Sequence, residues 1–269
     1  MEFRTIVDIP KPGFEIQPCE ELLFVGSCFA DNIGQRFRDE GFPVVVNPFG
    51  TMYNPASVLH TLQRIDWCEV QPRTVFLTLG TNHVYRLKET GEIVDNCQKR
   101  PAALFQEEKL SVDQCTDYLR QSIALLRQLN PDIRIVLTVS PIRYRKYGYH
   151  ESQLSKATLL LTASSVCDDS IATYFPAYEI INDELRDYRF YAADMLHPSE
   201  QAVDYIWERL VETYFSAEAK AYLAEWLPLR QALNHKPFAP NSDEYHRFRQ
   251  QTLERLAAFQ AKYPAARLV

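Results

Sequence analysis

Short apolar runs alternate along the chain with longer stretches in which apolar residues recur every three or four positions. The short runs have the length and β-branched content of buried strands, whereas the longer stretches have the period of amphipathic helices. The five runs predicted to be strands are LLFVG (22–26), PVVV (43–46), TVFLTL (74–79), IRIVLTV (133–139) and AYEII (177–181). Alternation of this kind is typical of βα units. The pattern therefore predicts an α/β fold with a five-stranded parallel sheet.

Two segments depart from this alternation. Residues 83–97, HVYRLKETGEIVDNC, alternate around Glu-Thr-Gly and predict a hairpin inserted after the third strand. Beyond Ser216 the chain is Ala-, Leu- and Arg-rich and has only the helical period. We expect a domain over residues 1–215 and a helical extension over 216–269. The extension is expected to pack on the domain or on a partner subunit, which leaves an oligomer through these helices open.

Composition narrows the class of protein. The chain has 269 residues, of which 46% are hydrophobic and 24% charged, as in an ordinary soluble globular protein. Its net charge of −6 argues against a nucleic-acid partner. No apolar run approaches the roughly 18 residues of a membrane-spanning helix, so no membrane partner is expected. Charged residues and prolines occupy the N-terminal positions where a secretion signal has its apolar core, which predicts a cytoplasmic protein.

The cysteines and histidines predict neither a disulfide framework nor a metal site. The six cysteines are irregularly spaced and form no C-x-x-C pair. The six histidines form no H-x-H or H-E-x-x-H motif. We therefore expect reduced thiols, no metal and no cofactor.

Residues that could carry chemistry follow the predicted strands. In an open parallel sheet, ligands bind outside the carboxyl ends of the strands. The candidate groups are Gly26–Cys28, Asn47–Gly50, Gly80–His83 and Asp194–His197. A doubly wound sheet brings all four groups to the same edge.

Ser27 has two interpretations. It is a helix cap, because serine is a preferred capping residue, or it is a nucleophile at a strand-to-helix turn. A serine nucleophile needs a base, and His197 is the candidate, with Asp194 three residues earlier to hold its tautomer. Cys28 is a further candidate nucleophile, although position 34 is a glycine where a thiolate phosphatase loop has an arginine.

Two further sets of residues are candidates for substrate contacts. The Asn82 amide and the Gly50 N–H are candidate donors to an oxyanion, although asparagine and glycine are also common loop residues. His83, Arg86 and Arg143 lie near strand ends and are predicted to contact a polar or anionic part of the substrate. The alternative for the arginines is a solvated loop surface.

Several strings of this sequence resemble a known family. LLFVGSCFADNIG contains the G-S-C-F-A string that names the GSCFA family, a branch similar to the SGNH (GDSL-like) hydrolases. The superfamily's other motifs are matched in order by Gly50, by Gly80-Thr81-Asn82 and by Asp194-x-x-His197. The strings SPIRYRKYGYHESQLSKATLL and DELRDYRFYAADMLHPS also resemble the GSCFA family. The resemblance covers approximately residues 15–215.

The resemblance implies a flavodoxin-like three-layer α/β/α fold and a serine-dependent site. Ser27 is the implied nucleophile, His197 the base and Asp194 its orienter. The implied oxyanion hole consists of Ser27, Gly50 and Asn82.

The chain also departs from the superfamily pattern at two positions. Cys28 follows the serine where many relatives have other residues, and His83 occupies the place of an aspartate in Gly-x-Asn-Asp. The resemblance implies an ester hydrolase or acyltransferase that forms an acyl-serine, with a small-molecule ester or an acylated carbohydrate as substrate. The alternative is a non-catalytic binding module for such a ligand. A nucleotide-binding protein is disfavoured because both phosphate-binding glycine motifs are missing.

Overall fold

The computed structural model describes residues 3–168 and 171–268. Its strands, numbered along the chain, are β1 (Leu22–Gly26), β2 (Val44–Val46), β3 (Thr74–Leu79), β4 (His83–Leu87), β5 (Ile93–Val94), β6 (Phe105–Lys109), β7 (Arg134–Val139) and β8 (Ala172–Tyr174). Five of them form a parallel sheet in the order β2-β1-β3-β7-β8, which is the flavodoxin-like order. The predicted five-stranded parallel sheet is confirmed.

Helices cover both faces of this sheet. They are α1 (Cys28–Asp39), α2 (Pro55–Arg64), α3 (Val112–Leu129), α4 (Tyr149–Val166), α5 (Ala177–Glu179), α6 (Glu200–Tyr214), α7 (Ala217–Leu233) and α8 (Asp243–Lys262). Helices α1, α6, α7 and α8 share one buried apolar cluster, and α2, α3 and α4 share the other. In β1, Phe24 belongs to the first cluster while Leu23 and Val25 belong to the second, because successive side chains of a strand point to opposite faces. The fold is thus a three-layer α/β/α sandwich.

The fifth strand lies earlier than the sequence pattern predicts. Residues 177–181 are not a strand: α5 continues as a π-helical segment over Ile180–Leu185. The buried residues Ala177, Ile180 and Ile181 have the i, i+3, i+4 spacing of a helix. A short apolar run such as this one fits a buried strand and a buried helix equally well. The strand is β8, which pairs with β7 through Ile135 and Ala172.

The inserted hairpin is larger than predicted. Strands β4 and β5 form the expected antiparallel pair, and β6 pairs with the other side of β4. The sequence of β6, FQEEK, contains one apolar residue and so gives no alternation by which it could be recognised. The result is a separate three-stranded sheet beside the main one.

The C-terminal helices pack on the same chain, at the end of α1. The Tyr222 hydroxyl donates to the Glu40 carbonyl oxygen at 2.7 Å, and Trp226 Nε1 donates to the Asp39 carbonyl oxygen at 3.0 Å. Arg230 adds an ion pair to the Glu40 carboxylate at 2.6 Å. Helix α7 therefore satisfies carbonyl groups that the end of α1 leaves without helical partners. A role for these helices in an oligomer stays a prediction.

Within the described residues, no helix combines the length and the apolar character needed to cross a membrane.

Replacing Tyr222 with phenylalanine is expected to lower the free energy of unfolding by about 1–3 kcal/mol, because the buried Glu40 carbonyl loses its donor. Urea unfolding measures this difference. Tyr245→Phe is the matched control, since Tyr245 is only partly buried in α8, and its effect should stay within about 0.5 kcal/mol. Equal effects of the two substitutions would contradict a specific role for the Tyr222 hydroxyl.

Candidate active site

The turn between β1 and α1 is fixed by close approach to β3. Gly26 lies opposite Thr78, has φ +147°, and leaves no space for a side chain, since an added Cβ would come 2.1 Å from the Thr78 carbonyl oxygen. The next backbone N–H, that of Ser27, donates to the same carbonyl oxygen at 3.0 Å and to Thr78 Oγ1 at 2.9 Å. The turn is therefore held against β3 before α1 begins.

Ser27 caps α1. Its Oγ accepts from the Phe29 N–H at 3.3 Å and lies 3.1 Å from Thr78 Oγ1. Only 1% of the residue is exposed. The capping interpretation of Ser27 thus agrees with the geometry, and the expected contact between Ser27 Oγ and His197 is not formed.

Cys28 faces the histidine instead. It is the first residue of α1 and is half-buried, and its Sγ lies 3.6 Å from His197 Nε2. Tyr53 Oη lies 3.7 Å from the same sulfur. The structure therefore brings together Cys28, Tyr53 and His197 at the carboxyl edge of the sheet.

Asp194 orients His197 as the sequence predicts. Its Oδ1 accepts from the N–H groups of Leu196 at 2.8 Å and His197 at 3.0 Å, and its Oδ2 lies 2.5 Å from His197 Nδ1. The pKa of the Asp194 carboxyl lies well below its usual range. The cause is the hydrogen bonds that it accepts from the His197 N–H and ring and from the Leu196 N–H. An ionised Asp194 accepts a hydrogen bond from the Nδ1–H of a neutral imidazole, which leaves Nε2 as the acceptor facing Cys28.

Arg143 holds the turn that carries this pair. Its backbone N–H donates to the Leu196 carbonyl oxygen at 2.9 Å, and its guanidinium donates to the Met195 carbonyl oxygen at 3.1 Å. The guanidinium also lies over the ring of Tyr149, 4.3 Å from its centroid. These contacts position the Asp194–His197 turn, and a contact of Arg143 with substrate stays a prediction.

The Cys28 thiol is protonated at rest near neutral pH. Burial raises its pKa above the usual value, and the Tyr53 hydroxyl and the Cys28 N–H partly oppose this effect. Weaker charge effects come from Asp31, which raises the pKa, and from Lys156, which lowers it. A protonated thiol needs a base before it can act as a nucleophile, and His197 Nε2 is in place to be that base.

The predicted oxyanion donors are engaged elsewhere. Asn82 Nδ2 donates to the Leu110 carbonyl oxygen at 2.7 Å, and the Asn82 N–H donates to Ser155 Oγ at 3.0 Å. The Gly50 N–H donates to the Asn47 carbonyl oxygen at 2.9 Å within its own turn. One of the two Asn82 Nδ2 N–H groups and the Gly50 N–H thus have partners within the protein, and the oxyanion role of both residues stays a prediction. These partners lie at the end of the insertion, on α4 and in the turn before Gly50, and the motif does not reveal them.

Two of the residues predicted to contact substrate belong to the insertion. The His83 ring stacks on that of Tyr147 with 4.0 Å between centroids, and burial lowers the pKa of the imidazole. Arg86 donates to the Glu108 carboxylate at 2.9 Å and to the Gly91 carbonyl oxygen at 2.5 Å. Arg86 therefore stabilises the small sheet in this structure. Contacts of both residues with substrate stay predictions.

Sequence reasoning missed Tyr53 and Lys156. Tyr53 precedes the Asn54 cap of α2 and has no pattern that marks it. Lys156 is buried on α4 together with Ser152 and Leu159, and this i, i+4, i+7 spacing was a usable signal. Among the described residues, no group of three His, Cys, Asp or Glu side chains could hold a metal ion.

Several esterases are among the solved structures to which the chain is similar. An acetyl esterase mutant with bound acetate is 9% identical, with a TM-score of 0.44 over 80% of this chain and 100% of that one. An acetyl-xylooligosaccharide esterase mutant from Geobacillus Stearmophilus is 12% identical, with a TM-score of 0.45 over 74% and 96%. A carbohydrate esterase family 3 protein from Talaromyces cellulolyticus is 11% identical, with a TM-score of 0.40 over 71% and 94%.

Sequence comparison identifies the family. No curated protein matches the chain closely enough to count as a relative. The model of the GSCFA family matches residues 21–71 and 68–210, and that of the GSCFA domain protein C-terminal domain matches residues 226–268. These matches span most of the sequence and include the Gly26–Cys28 turn and the Asp194–His197 turn. The chain therefore belongs to the GSCFA family.

Proposed function

We propose that the protein transfers acyl groups through a Cys28–His197–Asp194 triad, as an ester hydrolase or acyltransferase. The observation that carries the proposal is the 3.6 Å contact between Cys28 Sγ and His197 Nε2, with Asp194 on the other ring nitrogen. Nucleophile, base and orienter are then linked in the order that such catalysis requires.

The reaction proceeds in two balanced steps. His197 Nε2 takes the thiol proton, Cys28 Sγ attacks the substrate carbonyl carbon, and the bond to the leaving oxygen or sulfur breaks as His197 returns the proton to it. The product on the enzyme is an S-acyl cysteine. Water or an acceptor hydroxyl then gives its proton to His197 and attacks the same carbon, and the C–S bond breaks as His197 returns the proton to Sγ and restores the thiol. Water gives hydrolysis, and an acceptor gives acyl transfer.

The start of α1 favours the charge that develops in these steps. The Cys28 N–H lies at the first position of a 12-residue helix, where the helix dipole stabilises negative charge. Burial raises the pKa of the Tyr53 phenol, which keeps its hydroxyl protonated as a donor beside the sulfur. These two donors replace Asn82 and Gly50 in the proposed stabilisation of the oxyanion.

A thiol nucleophile also favours a class of substrate. The S-acyl intermediate is itself a thioester, so a thioester donor forms it without a change in bond type, whereas an oxygen ester must be converted to the more reactive thioester. We therefore propose thioester donors alongside activated oxygen esters. The predicted acyl-serine at Ser27 is not part of the proposal, because Ser27 Oγ is buried against Thr78.

The chemistry of the acyl-enzyme distinguishes the two nucleophiles. The protein is incubated with p-nitrophenyl acetate, quenched in acid, and analysed by mass spectrometry for a single acetyl group. A Cys68→Ser background removes an exposed thiol that would react nonspecifically. We expect an adduct that neutral hydroxylamine removes, that persists in Ser27→Ala and that is missing in Cys28→Ala. An adduct on Ser27 that resists neutral hydroxylamine would overturn the assignment, and no adduct with acetate esters or acetyl thioesters would favour the binding module.

A further inference from the structure

Asn47 uses all four of its hydrogen-bonding groups in the loop after β2. It follows β2 directly, is buried, and has φ +43°. Asparagine is one of the few residues with a side chain that adopt this left-handed conformation readily. Its N–H donates to the Phe24 carbonyl oxygen at 2.9 Å, and its own carbonyl oxygen accepts from the Gly50 N–H at 2.9 Å. These two bonds fix the backbone of Asn47 between β1 and its own turn.

The Asn47 side chain connects the two segments that flank Cys28. Its Oδ1 accepts from the Gly26 N–H at 2.9 Å, and its Nδ2 donates to the Asp31 carboxylate at 2.9 Å. Gly26 is the last residue of β1, two positions before Cys28, and Asp31 lies in the first turn of α1. One side chain therefore restrains the thiol from both sides along the chain.

The two partners require an amide at this position. A backbone N–H needs an acceptor and a carboxylate needs a donor, and the asparagine side chain supplies both, whereas an ionised aspartate has no donor. The same loop also holds the other end of Gly26, since the Met52 N–H donates to the Gly26 carbonyl oxygen at 2.8 Å. Tyr53, next in the chain, places its hydroxyl beside Cys28 Sγ. Residues 47–53 thus hold both the turn before the sulfur and a group that faces it.

We propose that Asn47 is a positioning residue for Cys28: its amide holds Gly26 and α1 together so that Sγ stays in contact with His197 Nε2. Cys28 is the first residue of α1, so a shift of the turn moves Sγ relative to the loop before α6 and lengthens the 3.6 Å contact. The inference rests on the proposed function for the role of Cys28 as nucleophile. Its effect on the thiol can nevertheless be measured without an acyl substrate.

The first test compares two backgrounds. Asn47→Gly removes both side-chain bonds, adds no charge and suits the left-handed backbone. The readout is the rate at which iodoacetamide alkylates Cys28 near neutral pH, followed on the Cys28 peptide by mass spectrometry. In the wild-type background we expect the rate to fall about tenfold, because the displaced thiol loses contact with its base. In a His197→Ala background we expect Asn47→Gly to cause no further fall.

The outcome of this comparison decides between positioning and general loosening of the turn. An equal fall in both backgrounds would overturn the proposal, because an effect that does not need the histidine does not act through it. No fall in either background would overturn it as well. Asn130→Gly is the matched control: the Asn130 side chain also accepts from a backbone N–H, that of Asp132 at 3.0 Å, but it lies before β7, at the opposite edge of the sheet. It should leave the rate unchanged.

A swap of two side chains tests the bond itself. Asn47→Asp keeps an acceptor for Gly26 but places a carboxylate against that of Asp31, and should slow alkylation about tenfold. Adding Asp31→Asn supplies the donor and the acceptor in reversed order and should restore most of the lost rate. The control adds Asp31→Asn to Asn47→Gly, which removes the same charge without offering a partner at position 47, so the rate should stay low.

Each arm of the swap has a result that contradicts the proposal. A folded swap variant that stays as slow as Asn47→Asp would overturn it, and so would equal recovery in the control. Thermal unfolding is measured for every variant. If Asn47→Asp fails to fold, Asn47→Gly in the two backgrounds decides, and if Asn47→Gly fails to fold, Asn47→Asp and the swap decide.

The inference and the proposed function fail separately. If the alkylation results are as expected but no acyl-enzyme forms with the acetyl donors, the proposed function fails alone. If the acyl-enzyme forms while Asn47→Gly slows alkylation equally in both backgrounds, this inference fails alone.

Discussion

Cys28→Ala is expected to lower kcat/KM for p-nitrophenyl acetate by roughly 10⁴-fold or more, the loss that follows removal of a nucleophile. Cys28 Sγ is the group that faces His197 Nε2, so no neighbouring side chain can take its place. Steady-state kinetics on folded protein measures the loss. The same variant should also lose its labelling by an iodoacetamide probe at this position.

Ser27→Ala is the matched control at the adjacent residue. It removes the cap of α1 and should destabilise the protein by about 1 kcal/mol. Turnover should stay within about tenfold of the wild type, because Ser27 Oγ contacts Thr78 and a backbone N–H rather than the histidine. Labelling by a fluorophosphonate that disappears in Ser27→Ala and persists in Cys28→Ala would show that serine is the nucleophile.

His197→Ala is expected to lower kcat by several powers of ten, since the resting thiol then has no base. Because nucleophile and base act as a unit, the Cys28→Ala/His197→Ala double variant should be little worse than either single variant. Asp194→Asn should lower kcat less than His197→Ala does, because it leaves the thiol and the imidazole in place. The measurement is kcat for the three variants and the double variant with one ester.

An exposed histidine provides the control for this series. His150 lies in the first turn of α4, and His150→Ala should retain wild-type turnover. Additive losses in the double variant would contradict a shared mechanism for Cys28 and His197. They would show that each residue acts in a separate step.

Most of the fold could be predicted because its signals are local. The runs at 22–26 and 74–79 are continuous and apolar, as strands buried on both faces are, and they are β1 and β3. Local signals did not give the correct element where an apolar run fits both the period of a strand and that of a helix. AYEII has the composition of a strand, but its buried residues have helical spacing, and only packing against the rest of the cluster decides between them.

The candidate site could be predicted in part. Asp194 and His197 are three positions apart, so a tight turn is enough to bring the carboxylate to the imidazole ring. The choice between Ser27 and Cys28 as candidate nucleophile depends on which of these two adjacent side chains faces His197, in the loop before α6. That direction follows from the contact of Gly26 with Thr78, a contact across 52 positions of the chain that one sequence does not reveal. The bond from Asn82 to Leu110 could not be predicted for a similar reason, since Leu110 lies 28 positions away.

The covering of α1 by the C-terminal helices also has a consequence for synthesis of the chain. The partners of Asp39 and Glu40 on α7 follow them by 182 to 190 residues. At ribosomal rates of about 5–20 residues per second, these partners are synthesised roughly 10–40 seconds after the end of α1. During that interval Phe42, which packs edge-on against Tyr222 in the finished protein, lacks its cover. A nascent chain thus exposes the Phe42 ring, at the end of α1 opposite Cys28, until translation has passed α7, and chaperones that bind exposed apolar surface have this interval in which to act.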